Sequence, residues 1–286
     1  MCDDDIHVGL VYDAKVSRRT FGVLSVAAAG GLATSAYAAD VVEKDVEVKT
    51  ADGVADAALF HPAGKGTWPA VLIWTDIAGL RPTFREMGRR LASQGYVVLV
   101  PNPFYRSAKG VVATPGFDFS KPEDRARVMG YRQAMNNDGI DNDAKAYVAF
   151  LDAQPQTNRK KKVGVQGYCM GGPLSFRTAA AAPGRIGAVG SFHGGGLTTK
   201  NPDSPHLLIP KTNASYLVAV AQNDDKAQPD SKDILKAAFA AAERPATVEV
   251  YPANHGWCVK GSQVYDEPAA ERAWAELTKL YRSSLA

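Results

Sequence analysis

From about residue 40 onward, short unbroken apolar runs alternate with stretches whose apolar residues recur at helical spacing. "KDVEVKT" alternates apolar and polar positions, and "ADAALFHP" follows after "ADG", which predicts an opening antiparallel hairpin. "PAVLIW" (Pro69 to Trp74) and "YVVLVP" are continuous apolar runs, the signature of strands buried on both faces. Between them "TFREMGRRLASQG" has helical periodicity and stops on Gly95. Asn102 to about Asn137 is rich in Pro, Gly and charge and reads as irregular. The pattern then resumes. "DAKAYVAFLDAQ" is an amphipathic helix, "KVGVQG" a strand, and "PLSFRTAAAA" a helix. "RIGAVGSFHGGG" and "ASYLVAVAQNDD" each hold a strand running into a polar or glycine-rich loop. "SKDILKAAFAAA", "ATVEVYP" and "AAERAWAELTKLYRS" complete the series as helix, strand and helix. Strand–helix alternation of this length predicts an α/β fold, a mostly parallel doubly wound sheet with helices on both faces. In such sheets the chemistry gathers at the carboxyl ends of the strands.

The first residues follow a different pattern. Ser17-Arg18-Arg19-Thr20-Phe21 places paired arginines before an Ala/Gly-rich apolar stretch from Gly22 to about Ala36, and Ala36-Tyr37-Ala38 forms a small-x-small cleavage site. A membrane anchor needs about 20 strongly apolar residues, more than this stretch supplies. The expectation is a cleaved twin-arginine export signal over residues 1–38, a single domain over 39–286, and a periplasmic or secreted product with no stable membrane association. Of the 286 residues 45% are hydrophobic, enough for a sizeable core, and 33 basic against 30 acidic residues leave a net charge of +3. Without a long Lys/Arg block this balance gives no reason to expect a nucleic-acid partner. The expected partner is a small molecule, and the expected state a monomer. Three cysteines, one of them Cys2 within the leader, are too few for a disulfide framework.

Four predicted strand ends carry unusual residues: Thr75-Asp76-Ile77, Tyr168-Cys169-Met170, Asn223-Asp224-Asp225 and Asn254-His255-Gly256. Nucleophile, acid and histidine therefore occur in the chain order of an α/β-hydrolase triad. Cys169 is flanked at two positions on either side by Gly167 and Gly171, and no serine in the chain has that setting. A nucleophile elbow holds its reactive residue in a strained turn, where neighbouring side chains would collide. Either aspartate could serve as the acid. A thiol of ordinary pKa near 8.5 needs a base at neutral pH, and His255 could take its proton while an aspartate fixes the imidazole. Backbone N–H groups of Met170 and Ile77 would face the tetrahedral oxyanion. Metal and cofactor motifs are lacking: there is no H-E-x-x-H, no CxxC and no well-formed phosphate loop, so no cofactor is expected. "DGIDND" (Asp138 to Asp143) lacks the glycine spacing and terminal Glu of a calcium loop and reads as a helix start.

These residues resemble the dienelactone hydrolases, a cysteine branch of the α/β-hydrolase superfamily. The resemblance covers most of the chain and is carried by "GYCMGG", "SFHGGG", "NDD" followed by "QPDSK", and "NHGWCV" followed by "AAERAW". It implies hydrolysis of activated esters or lactones through a Cys169–His255–Asp225 triad, the acid lying four residues before a proline, here Pro229. It also implies that Asp76, where well-known members have Glu, restrains the resting thiol. Arg106 takes the position of an arginine that holds a substrate carboxylate. A second such arginine would stand at Val259. His193, at another strand end, either lines the site or is structural. Two other classes remain open: a thiol redox protein, with Cys258 as its resolving thiol, and a ligand-binding protein without turnover.

Overall fold

The computed structural model describes residues 40–286, so the expected export signal lies outside the described residues. Eight strands form one sheet in the order β1-β2-β4-β3-β5-β6-β7-β8. β1 (Val41–Thr50) and β2 (Gly53–Pro62) are the expected hairpin, paired in register from Val41↔Pro62 to Thr50↔Gly53. β2 runs antiparallel to β4 (Val97–Pro101), and every later pairing is parallel. The remaining strands are β3 (Ala70–Trp74), β5 (Val163–Tyr168), β6 (Ile186–Phe192), β7 (Ser215–Ala221) and β8 (Ala246–Tyr251). All residues of β3, β4, β5 and β6 are buried, which explains why they read as continuous apolar runs.

The sheet separates two apolar layers. On one face, α1 (Pro82–Ser93) and α7 (Glu267–Ser284) set Phe84, Leu91, Leu277 and Tyr281 against Phe60, Ile73 and Val98. On the other, α3 (Asn137–Ala153), α4 (Gly171–Ala181) and α6 (Ser231–Ala241) set Tyr147, Leu174, Phe176 and Phe239 against Leu72, Val165 and Val218. Alternate residues of one strand thus serve opposite layers. The chain steps from β3 to β4 and then returns to β5 on the far side of β3. That reversal opens a crevice at the carboxyl ends of β3 and β5.

Two features depart from the sequence reading. Within the stretch read as irregular, Pro122–Gln133 forms α2, which buries only Asp124 and Val128. A helix that turns so little apolar surface inward leaves almost no periodicity to detect. The polar loop expected after β7 is instead a short helix, α5 (Gln222–Ala227). The acidic "DGIDND" stretch lies within the first turns of α3, whose N-cap Asn136 accepts a hydrogen bond from the Gly139 N–H at 2.7 Å.

Candidate active site

The turn between β5 and α4 is built on glycine. Cys169 has φ = 52°, a left-handed conformation that side-chain-bearing residues rarely adopt. A Cβ on Gly167 would stand 1.9 Å from the Gly171 carbonyl oxygen, and one on Gly171 would stand 2.6 Å from the Trp74 carbonyl oxygen. The obstacles are backbone atoms, so no rotamer change could relieve them. Gly167→Ala is therefore expected to lower stability by more than about 4 kcal/mol. Denaturant unfolding measures this, and a midpoint close to wild type would contradict the packing described.

Below the turn, Tyr168 stacks on Phe192 at 5.1 Å and 18°. Its hydroxyl accepts from Gln166 Nε2 at 2.8 Å, and Gln166 Oε1 accepts from the Tyr281 hydroxyl at 3.0 Å. Burial pushes the Tyr168 and Tyr281 hydroxyls well above their ordinary range, so both stay neutral hydrogen-bonding groups. The chain beneath Cys169 is thus braced on the α7 side by a neutral relay.

His255 lies in the loop after β8 and is buried. Its Nδ1 is 2.8 Å from Asp224 Oδ2, and its backbone N–H donates to Asn223 Oδ1 at 2.8 Å. An ionised carboxylate can only accept, so Nδ1 is the donor in this contact. Asp225, the acid expected from the proline spacing, is not the partner of His255. It pairs with Lys232 at 2.7 Å. Because α5 is helical, successive side chains diverge by about 100°. Asn223 and Asp224 reach the His255 loop, whereas Asp225 turns toward the start of α6.

His193 also has a left-handed backbone, φ = 39°, and its N–H donates to the Ala219 carbonyl at 2.8 Å. Its ring lies 4.8 Å from that of His255 and 5.1 Å from that of Trp257, both edge-on. The structure thus brings His193 into the site as the flank of His255. Ile77 and Met170 directly follow Asp76 and Cys169 in the chain. Neither N–H donates to another group among the described residues.

Two expected roles are not realised. Asp76 is engaged by its own loop. Its Oδ1 accepts from Arg81 Nη1 at 2.5 Å and from the Ala78 N–H at 3.0 Å, and its Oδ2 accepts from Arg81 Nη2 at 2.7 Å. The shorter Asp side chain closes back on its own loop, making a buried ion pair that braces the peptide carrying the Ile77 N–H. Arg81 was missed in the sequence, where only its position before Pro82, at the start of α1, marks it. Arg106 is not poised for a substrate carboxylate either. It donates to Asp52 Oδ2 at 2.6 Å and to Asp143 Oδ2 at 2.6 Å, joining the β1–β2 turn to α3.

Cys258 is free and buried, and burial pushes its thiol well above the ordinary range. It packs with Tyr168 in the α1/α7 layer, whereas Cys169 belongs to the opposite layer. A cavity of about 180 Å³ opens between α1 and α7, lined by Tyr168, Phe192, Cys258 and Trp274. Neither Cys169 nor His255 lines it, so its size does not make it the place of the chemistry. No cluster of side chains suited to a metal ion occurs among the described residues, and no helix there is long and apolar enough to cross a membrane.

Comparison with known proteins supports the fold and the family. The carboxymethylenebutenolidase of Rhodococcus opacus is 27% identical over 225 residues, 77% of this chain and 83% of that one. Two solved structures share the fold. A dienelactone hydrolase-like promiscuous phosphotriesterase from metagenomic libraries superposes with a TM-score of 0.69 at 21% identity, covering 86% of this chain and 99% of the other. The dienelactone hydrolase of Anabaena variabilis does so with a TM-score of 0.58 at 20% identity, covering 86% and 99%. The sequence profile of the dienelactone hydrolase family matches residues 55–285. With an eight-stranded α/β-hydrolase sheet and a glycine-flanked cysteine elbow at its crevice, this chain belongs to the dienelactone hydrolase family.

Proposed function

We propose that the protein hydrolyses activated esters or lactones through a Cys169–His255–Asp224 triad and a thioester intermediate. The observation that carries this reading is the 2.8 Å contact between His255 Nδ1, in the loop after β8, and Asp224, in α5 after β7, in a chain whose Cys169 is held in a left-handed elbow. His255 takes the thiol proton, and the sulfur attacks the acyl carbon. The N–H groups of Met170 and Ile77 stabilise the resulting oxyanion. The C–O bond breaks as the imidazolium returns its proton to the leaving oxygen. Water, deprotonated by His255, then attacks the thioester, and the C–S bond breaks to release the acid. Asp224 holds the imidazole in the tautomer that both steps need and stabilises its charged form. A thiolate forms more readily than an alkoxide but also departs more readily, which matches the site to esters and lactones with good leaving groups.

The separation of the two thiols speaks against an internal redox pair. Cys169 and Cys258 lie in apolar layers on opposite faces of the sheet.

Rapid mixing with 4-nitrophenyl acetate, followed by intact-mass and peptide analysis, tests the reading. A burst of nitrophenol approaching one equivalent and a hydroxylamine-labile acetyl group on Cys169 are expected. Turnover with no acyl group on Cys169, or no turnover at all, would reject it.

A further inference from the structure

We infer that Arg81 is a positioning residue for the oxyanion site: through Asp76 it fixes the turn that carries the Ile77 N–H. This rests on the hydrolase reading above and assigns a further residue to that same site. Residues 76–79 form a tight turn after β3, closed by the Gly79 N–H, which donates to the Asp76 carbonyl at 3.0 Å. The Ala78 N–H donates to Asp76 Oδ1, also at 3.0 Å. The turn thus uses the N–H groups of Ala78 and Gly79 for its own closure, and among the described residues that of Ile77 has no acceptor. A fixed amide with no internal acceptor is what a developing oxyanion requires. Arg81 holds this arrangement. Its Nη1 donates to Asp76 Oδ1 at 2.5 Å and its Nη2 to Oδ2 at 2.7 Å, and Nη1 also reaches the Gly79 carbonyl at 3.3 Å. One guanidinium ties both ends of the turn, and its planar fork fixes the orientation of the carboxylate. The two side chains are 5% and 1% exposed, so water does not share the contact. The pair is neutral as a whole, and its contribution is therefore orientation rather than net charge.

Two sets of contacts set this loop against the cysteine elbow. Trp74 pairs with Gly167 across β3 and β5. A Cβ on Gly171 would stand 2.6 Å from the Trp74 carbonyl oxygen and 2.7 Å from that of Thr75. The residue before Asp76 therefore lies on the residue two beyond Cys169. Through α1, the Arg81 guanidinium carbon is 4.9 Å from the Phe84 ring centroid, and the Phe84 ring meets that of Tyr168, the residue before Cys169, edge-on at 5.5 Å. Arg81 thus packs toward the elbow through one aromatic ring while its guanidinium holds the turn. Any shift of the turn moves the Ile77 N–H relative to the elbow, and a misplacement of about 1 Å can cost on the order of 10²-fold in rate.

Two variants test this. Arg81→Lys keeps the charge opposite Asp76 but cannot grip both carboxylate oxygens in one plane. Asp76→Asn combined with Arg81→Gln removes both charges together and strands neither. Circular dichroism checks folding. Three quantities are measured for each: kcat/KM with 4-nitrophenyl acetate, affinity for an alkyl trifluoromethyl ketone, and the rate at which iodoacetamide alkylates Cys169, read by peptide mass. The thiolate adds to the ketone carbon; a C–S bond forms and the carbonyl electron pair moves to oxygen, so the adduct carries an oxyanion. Alkylation needs the same thiolate but displaces iodide and forms no oxyanion. Turnover and ketone affinity are expected to fall together by about 10- to 100-fold, short of deleting a donor outright, while alkylation changes little. A parallel fall in alkylation would mean that the pair acts on the thiol or on the site as a whole. That result, unchanged turnover, or failure of both variants to fold would overturn the inference and leave the hydrolase reading in place. Wild type that neither turns over the ester nor gains an acyl group on Cys169 would overturn the hydrolase reading and this inference with it.

Discussion

Cys169→Ala is expected to lower kcat for an activated ester by on the order of 10⁴-fold or more, with the fold intact. In the proposed mechanism the side chain removed is the one to which the acyl group is joined, and residues acting as one catalytic unit lose nearly all their effect together. His255→Ala should fall by a similar factor, and the double variant should be little worse than either alone. Cys169→Ser is the more informative substitution. Serine fits the left-handed elbow as well as cysteine, so folding and ligand binding should be unchanged. Its hydroxyl ionises several units above a thiol, however, and general-base help is worth only about 10²–10⁴-fold. At least a tenfold slower hydrolysis is expected. Iodoacetamide separates the thiols independently. Burial holds the Cys258 thiol protonated, so the alkylation that coincides with loss of activity should map to Cys169 rather than to Cys258. A serine variant with wild-type rates would show that the site was not shaped around a thiolate.

The second large effect is expected at Asp224. Asp224→Asn replaces an acceptor with a side chain that can donate to Nδ1, and so favours the tautomer with the proton on Nε2, where the base is needed. A fall in kcat of about 10³–10⁴-fold follows by analogy with other triads that lose their acid in this way. Asp225→Asn removes only a partly exposed ion pair with Lys232, for which a change of a few-fold or less is expected. Steady-state kinetics of the two variants, with circular dichroism to confirm folding, decides between the aspartates. Greater damage from Asp225→Asn would return the catalytic role to the residue that the proline spacing suggested.

The contrast between these aspartates shows where the sequence stopped being sufficient. The central strands β3 and β4 were legible because burial on both faces makes each an apolar run with nothing to interrupt it, "VLIW" and "VVLV". The elbow was legible because its constraint is local. Gly167 and Gly171 must lack a Cβ to let five consecutive residues fold back on themselves, and the spacing alone records that. The positions of Asp224 and Asp225 along the chain could not say which faced His255. That depended on whether residues 222–227 were extended or helical, and the six-residue α5, which buries no residue, leaves no apolar periodicity to read. The fates of Asp76 and Arg106 were further out of reach. Arg81 lies five residues beyond Asp76 and needed the loop's actual path to close on it. Arg106 is claimed by Asp52 and Asp143, which are 54 and 37 residues away in the chain. By itself the sequence determined the sheet and marked the cysteine elbow, because burial pattern and backbone sterics act over a few neighbouring residues. Only the tertiary structure decided which charges are spent on one another, because ion pairing depends on distances of a few ångströms between segments that chain order does not bring together.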